Sequence, residues 1–312
     1  MRQRIVHTDT IVHYYSKEKN GNGIFYKTED FLVFYTLLSC AVRRRNMKIL
    51  GFSIMFNHFH LAEYAHDINV SVRILSNVER SFTKEYNARY DRSGALFRTP
   101  LGCAPKSSRK RGLSSVTYVC NNPVAGKLHR TAGEYRWSLL AYHESRHPFS
   151  RMIKTRELTM PMKKALAIVN SYIRASRPLS YETLDRVFQN LDNTEEKQLT
   201  DHIVSAYNFL DYQALTRIYG SWDNVLTAFK VSAGDEFDFS EDNENFSLYR
   251  SMLKVASDNG CPPDCKRIES LSEERIRELS RRIYEATNAP STMVRKFLRL
   301  RPAAQIRRQA HK

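Results

Sequence analysis

The apolar positions of the first 145 residues alternate between two periods. Thr10–Tyr15 is short, β-branched and aromatic, as a strand requires, and the turn-rich run Lys-Glu-Lys-Asn-Gly-Asn-Gly follows it. Over Glu29–Arg45 the step changes to three and four, with Phe31, Phe34, Tyr35, Leu38 and Val42 on one helical face. Ile49–Phe56 is a nearly continuous apolar run of strand length, and Asn57–Tyr64 extends it or pairs with it. Ile68–Tyr90 reads as a second amphipathic helix, with Val72, Leu75, Val78 and Phe82 on one side. Leu96–Ala104 reads as a further strand, and a basic loop, Lys-Ser-Ser-Arg-Lys-Arg-Gly, leads into a short helix near Ser115–Asn121. The order β-α-β-β-α-β predicts an α+β unit: a small antiparallel sheet with helices packed on one face.

The pattern changes after Tyr142. The stretch 146–161 is polar and basic and carries two prolines, so it reads as a linker between a first unit, 1–145, and a second, 162–312. From Met162 onward the periodicity is helical almost throughout, and an acidic loop, Gly234–Asn245, divides that half into two groups. Near its end, Leu271–Leu300 predicts a helix-turn-helix broken at Asn288-Ala289-Pro290. Ser291 would cap the second helix, and Met293, Val294, Phe297 and Leu298 would pack it. Arg295, Lys296 and Arg299 would then face outward for DNA; the competing reading is an ordinary helical hairpin with a solvated basic face. Trp222 belongs to a turn and helix start and is read as core.

Charge narrows the function. Of 312 residues, 49 are Lys or Arg and 33 Asp or Glu, a formal net charge of +16. That balance points to a polyanionic partner, nucleic acid before a membrane surface. The sequence offers no hydrophobic stretch of spanning length and no continuous apolar core near its start, so a cytoplasmic, nucleoid-associated protein is expected. The five cysteines, at positions 40, 103, 120, 261 and 265, form no four-ligand zinc pattern and read as reduced thiols.

Two constellations carry chemistry. In Asn57-His58-Phe59-His60 an extended chain puts both imidazoles on one face, where they could hold one divalent cation or simply be two satisfied histidines. In Tyr118-Val119-Cys120-Asn121-Asn122-Pro123-Val124-Ala125-Gly126 a helix puts Tyr118 and Asn122 on one side. Pro123 disfavours helical backbone at Asn122, making it a helix-terminal residue. The bland alternative is a buried tyrosine and a capping asparagine.

Together with Tyr135-Arg136-Trp137-Ser138, these motifs strongly resemble the HUH-type single-tyrosine transposases, and among them the branch associated with repetitive extragenic palindromes. The resemblance covers roughly residues 5–145. It departs at Met55-Phe56-Asn57-His58, where the family has proline before the asparagine. It implies a ferredoxin-like N-terminal domain, His58, His60 and Asn122 as ligands of Mg²⁺ or Mn²⁺, and Tyr118 as the nucleophile. It further implies cleavage and rejoining of single-stranded or hairpin DNA through a 5′-phosphotyrosine, by a monomer or a homodimer. The alternative is a DNA-binding regulator that keeps the fold without catalysis. Arg43, Arg44 and Arg45, with Lys106, Arg109, Lys110 and Arg111, are candidate phosphate contacts. Arg80, Lys84, Arg89 and Arg92 are further candidates. Tyr86 and Tyr90 either stack on unpaired bases or lie on a packed helix face.

Overall fold

The computed structural model describes residues 9–19, 23–126, 128–230, 248, 251–261 and 271–298. Four strands, β1 (Thr10–Lys17), β2 (Lys48–Ile54), β3 (His58–Ala65) and β4 (Gly102–Pro105), form one antiparallel sheet in the order β2-β3-β1-β4. Helix α1 (Thr28–Arg44) joins β1 to β2 and α2 (Ile68–Tyr90) joins β3 to β4. This is the interleaved β-α-β-β-α-β arrangement predicted from the apolar pattern.

The pleat sorts the side chains. Tyr14 pairs with Leu61 and Ser16 with Phe59, whereas Tyr15 pairs with His60 and His13 with Ala62. Phe59 meets Phe34 of α1 at 4.9 Å between ring centroids, and Phe34 meets Phe82 of α2 at 5.3 Å. The Phe59 face is therefore the one covered by α1 and α2. Burial of such a ring contributes about 1.5–3 kcal/mol, against about 0–1 kcal/mol for an exposed ion pair, so aromatic packing seats these helices. Asp67 caps α2 by accepting from the backbone of Asn69 and Val70, and Asp91 ends it with φ 47°.

The expectation of helices on one face fails for the third helix. Helix α3 (Arg109–Ala125) lies against the opposite face, where an added Cβ at Gly51 would meet Cys120 Sγ and Val116 O, both at 3.3 Å. Glycine there lets helix and sheet approach closely. Helix α3 also begins six residues earlier than predicted. The Ser108 hydroxyl accepts from Arg111 N at 3.3 Å, so Arg109, Lys110 and Arg111 form a helical first turn instead of a loop. Its end differs too: Pro123 sits inside the helix, which continues to Ala125. Strand β4 is shorter than the predicted run, Phe97 making only an isolated bridge to Glu18.

Beyond helical turns of three or four residues at 132–143, the chain forms α4 (Met160–Arg174), α5 (Tyr181–Phe188), α6 (Asn193–Ala206), α7 (Tyr212–Tyr219), α8 (Trp222–Lys230), α9 (Glu273–Thr287) and α10 (Ser291–Phe297). Several of these share a core with the sheet unit. Tyr35 on α1 donates to Val204 O at 2.8 Å, Ser39 donates to Tyr207 O, and Leu179 N donates to Thr36 Oγ1 at 3.0 Å. Phe209 packs 5.0 Å from Phe52, and Asp211 N donates to Ile49 O at 2.8 Å. The stretch read as a linker is fastened to α6, since Phe149 N donates to Asp201 Oδ2 at 3.0 Å and Gln198 donates to Arg151 O at 3.0 Å. Asp201 also accepts from Tyr142 and pairs with Arg136.

Helices α9 and α10 meet at Asn288, with φ 50°, and Met293, Val294, Phe297 and Leu298 are buried as expected. Arg295 is half-buried; the Lys296 side chain, Arg299, Cys265 and the acidic loop 234–245 lie outside the described residues. Trp222 is partly buried and stacks on His143 at 3.9 Å. Among the described residues no helix is long and apolar enough to cross a membrane.

Candidate active site

The site forms between the sheet and α3. Strand β3 starts at a tight turn that Glu18, Ile24 and Phe25 clamp. Met55 N donates to His58 O at 2.7 Å, and the Phe56 carbonyl accepts from Ile24 N and Phe25 N at 2.7 and 2.9 Å. Phe56, standing where the resembled family has proline, is buried and anchors this turn. His58 and His60 then project together from β3, as their spacing predicts, with ring centroids 4.8 Å apart. Tyr118 and Asn122, one turn apart on α3, point at the same place. Asn122 Nδ2 donates to the Tyr118 hydroxyl at 3.3 Å, and Asn122 Oδ1 lies 3.2 Å from His58 Nε2. The Tyr118 ring is 5.7 Å from that of His60. Four residues separated by 64 positions of sequence thus converge in one buried cluster.

Two further residues, which the sequence did not single out as site residues, complete it. Asn57 Oδ1 lies 2.6 Å from His58 Nδ1. His13, on β1, puts Nε2 2.9 Å from His60 Nδ1 and its ring 5.7 Å from Tyr118. Burial, and then the positive charge of Lys106, lowers the His13 pKa to about 3. Burial, then His58 and His13, holds His60 well below the usual histidine value. Both rings are neutral near pH 7, the form that binds metals.

The donor set fits a divalent cation. A neutral imidazole has one N–H, yet His58 faces an amide oxygen at each nitrogen. If Nδ1 donates to Asn57, the shorter contact, then a lone pair on Nε2 confronts a lone pair on Asn122 Oδ1. Two acceptors about 3 Å apart match adjacent ligands of an ion bound at roughly 2.1 Å, and a cation would relieve the opposition. Among the described residues no group of three or more His, Cys, Asp or Glu is arranged to hold a metal ion. A cation here therefore depends on the Asn122 amide beside His58 and His60.

The basic candidates divide. Lys106, Arg109, Lys110 and Arg111 lead into and begin α3, the helix that carries Tyr118 and Asn122, and the last three are exposed. Arg43, Arg44 and Arg45 end α1 just before Lys48, at the other end of β2 from the turn into His58 and beside the opposite face. Arg43 is engaged as well, donating to Ala206 O and Asn208 O at 2.7 Å each. Arg89 pairs with Asp185. Tyr86 and Tyr90 follow their packed reading: Tyr86 is buried, and Tyr90 donates to the buried Asp30 at 2.7 Å.

No protein-family model matches the sequence, and no curated protein does. Among solved structures, the chain is similar to the REP-associated tyrosine transposase bound to a REP hairpin. That likeness has 13% sequence identity and a TM-score of 0.35, over 45% of this chain and 81% of that one. Overlap of that extent carries no chemistry, which rests on the cluster between β3 and α3.

Proposed function

We propose that this protein is a metal-dependent, single-tyrosine endonuclease and strand transferase acting on single-stranded or hairpin DNA. The observation that carries the reading is the convergence of Tyr118, Asn122 and His58, with Asn122 Oδ1 3.2 Å from His58 Nε2 and Asn122 Nδ2 donating to the Tyr118 hydroxyl at 3.3 Å. His58, His60 and Asn122 would hold Mg²⁺ or Mn²⁺. The bound cation supplies Lewis-acid polarisation of the scissile phosphate.

Asn122 joins the two functions of the site, its oxygen facing His58 while its Nδ2–H orients the Tyr118 hydroxyl. Tyr118 Oη attacks phosphorus in line; its proton leaves to solvent, the P–O3′ bond breaks, and the departing 3′ oxygen takes up a proton. The products are a 5′-phosphotyrosine and a free 3′-hydroxyl. Attack by a 3′-hydroxyl on that ester reverses the exchange, one phosphoester for another, so no nucleotide is consumed. Exposed Arg109, Lys110 and Arg111 supply positive charge along the approach to the site.

One observation favours a second reading. Tyr118 is only 7% exposed, as in a DNA-binding regulator that does not cleave. The two separate in one assay: full-length protein is incubated with a labelled single-stranded hairpin and Mn²⁺, then denatured. The enzyme reading expects a labelled adduct that survives denaturation, lost in Tyr118→Phe and in His58→Ala. DNA binding without adduct across a panel of hairpins, equal in wild type and Tyr118→Phe, would establish the regulator instead.

A further inference from the structure

We infer that His13 is a positioning residue: it fixes the tautomer of His60 and thereby aims one of its ring nitrogens at the cation site. The inference rests on the metal-site reading above and goes beyond it in assigning β1 a part in the chemistry.

His13 does not belong to either sequence motif. Sheet register alone brings it in, because antiparallel pairing sets Tyr15 opposite His60 and His13 opposite Ala62, on the same face. There the His13 Nε2 to His60 Nδ1 separation of 2.9 Å is a full hydrogen bond between two buried rings. One of those nitrogens donates and the other accepts. If His60 Nδ1–H donates, the remaining lone pair of His60 is on Nε2, just as donation from His58 Nδ1 to Asn57 Oδ1, 2.6 Å away, would leave the lone pair of His58 on Nε2. The two motif histidines are then held alike, each by a neighbour at Nδ1. Such outer partners fix ring orientation as well as tautomer, and losing one typically weakens metal binding by about 10- to 100-fold.

The test uses full-length protein and two readouts. In metal-free protein, ¹⁵N shifts of the His60 ring report which nitrogen carries the proton; Mn²⁺ affinity is then measured by electron paramagnetic resonance. Wild type is expected to show His60 protonated at Nδ1, and His13→Phe to lose that preference and bind Mn²⁺ about 10- to 100-fold more weakly. His13→Gln, whose amide oxygen can accept the same proton, is expected to recover most of both. Thermal melts without metal identify any variant that fails to fold; if His13→Phe does, His13→Gln and the wild-type spectrum still decide. A wild-type His60 protonated at Nε2 overturns the inference, whatever Mn²⁺ does. So does unchanged Mn²⁺ affinity in folded His13→Phe while His60→Ala abolishes binding, an outcome that leaves the metal site intact. No Mn²⁺ binding by wild type removes the metal reading and, with it, the role assigned to His13, though the tautomer result stands by itself.

Discussion

At the scale of single residues, burial decides more than sequence spacing does. Glu79, on the inner side of α2, is a case away from the site. Burial pushes its carboxyl up to about 7, against a smaller opposing pull from Ser16. Between the ordinary value of about 4.5 and 7, the folded chain keeps a proton that the unfolded chain releases. Stability from this group is thus full below about pH 4.5 and is lost as pH rises through 7, by an upper bound of roughly 3 kcal/mol. Glu79→Gln, neutral and nearly isosteric, is expected to gain stability over wild type at pH 8 and little at pH 4.5, in urea unfolding at both. An equal difference at the two pH values would remove Glu79 as the source. The same scale shows what a sequence hides. His58 and His60 share a strand face, and Tyr118 and Asn122 a helix face, by short-range geometry that any reader of the chain can apply. His13 and Asn57 reach the cluster through a cross-strand register and a clamped turn, neither of which is local.

At the scale of elements, the helices with a clear apolar stripe were legible: the α2 limits agree with the prediction to the residue, and those of α1 are shifted by one. The first half of α3 was not, because Arg-Lys-Arg-Gly-Leu-Ser-Ser holds a single apolar residue, Leu113, carries no such stripe and looks like a loop. Its helicity comes from outside, from the Ser108 cap and from Gly112 lying against Ile11 of β1. Three cations in that first turn oppose the helix dipole, at a cost of about 0.3–1 kcal/mol each. Replacing Arg109, Lys110 and Arg111 together by serine should therefore act in opposite directions on two measurements. The melting temperature should stay or rise, while affinity for single-stranded DNA falls and its logarithmic salt slope shrinks by about 0.7 per lost contact. A fall in melting temperature with an unchanged salt slope would assign these side chains to the fold instead.

At the scale of the whole molecule, the second half of the chain is part of the support for the first. Tyr35, Thr36 and Ser39 on α1 are buried and bonded to residues between 179 and 207. Severing the chain at 150 would remove the protein partners of these three groups and uncover apolar surface, Phe52 included where Phe209 now packs, at about 25 cal/mol per Å² exposed. A fragment ending at residue 150 is expected to be largely insoluble or molten, with weak near-ultraviolet dichroism, whereas one ending at 230 should keep a cooperative melt. A soluble, cooperatively folding short fragment would show that the sheet unit stands alone. The polar stretch before Met162 gave no hint of this dependence, because its anchor is Asp201, a carboxylate in a distant helix.

Synthesis runs from the first residue to the last, and the shared core gives that direction a consequence. Every side chain of the histidine–tyrosine cluster has been made once Asn122 is joined, yet the outer side of α1 waits for α6 and Phe209 to emerge from the ribosome. A chain released early would carry all the reactive groups without the frame that registers them. On the proposed function, aborted translation products of this protein should therefore form no adduct with DNA, and the nascent chain should assemble the cluster late.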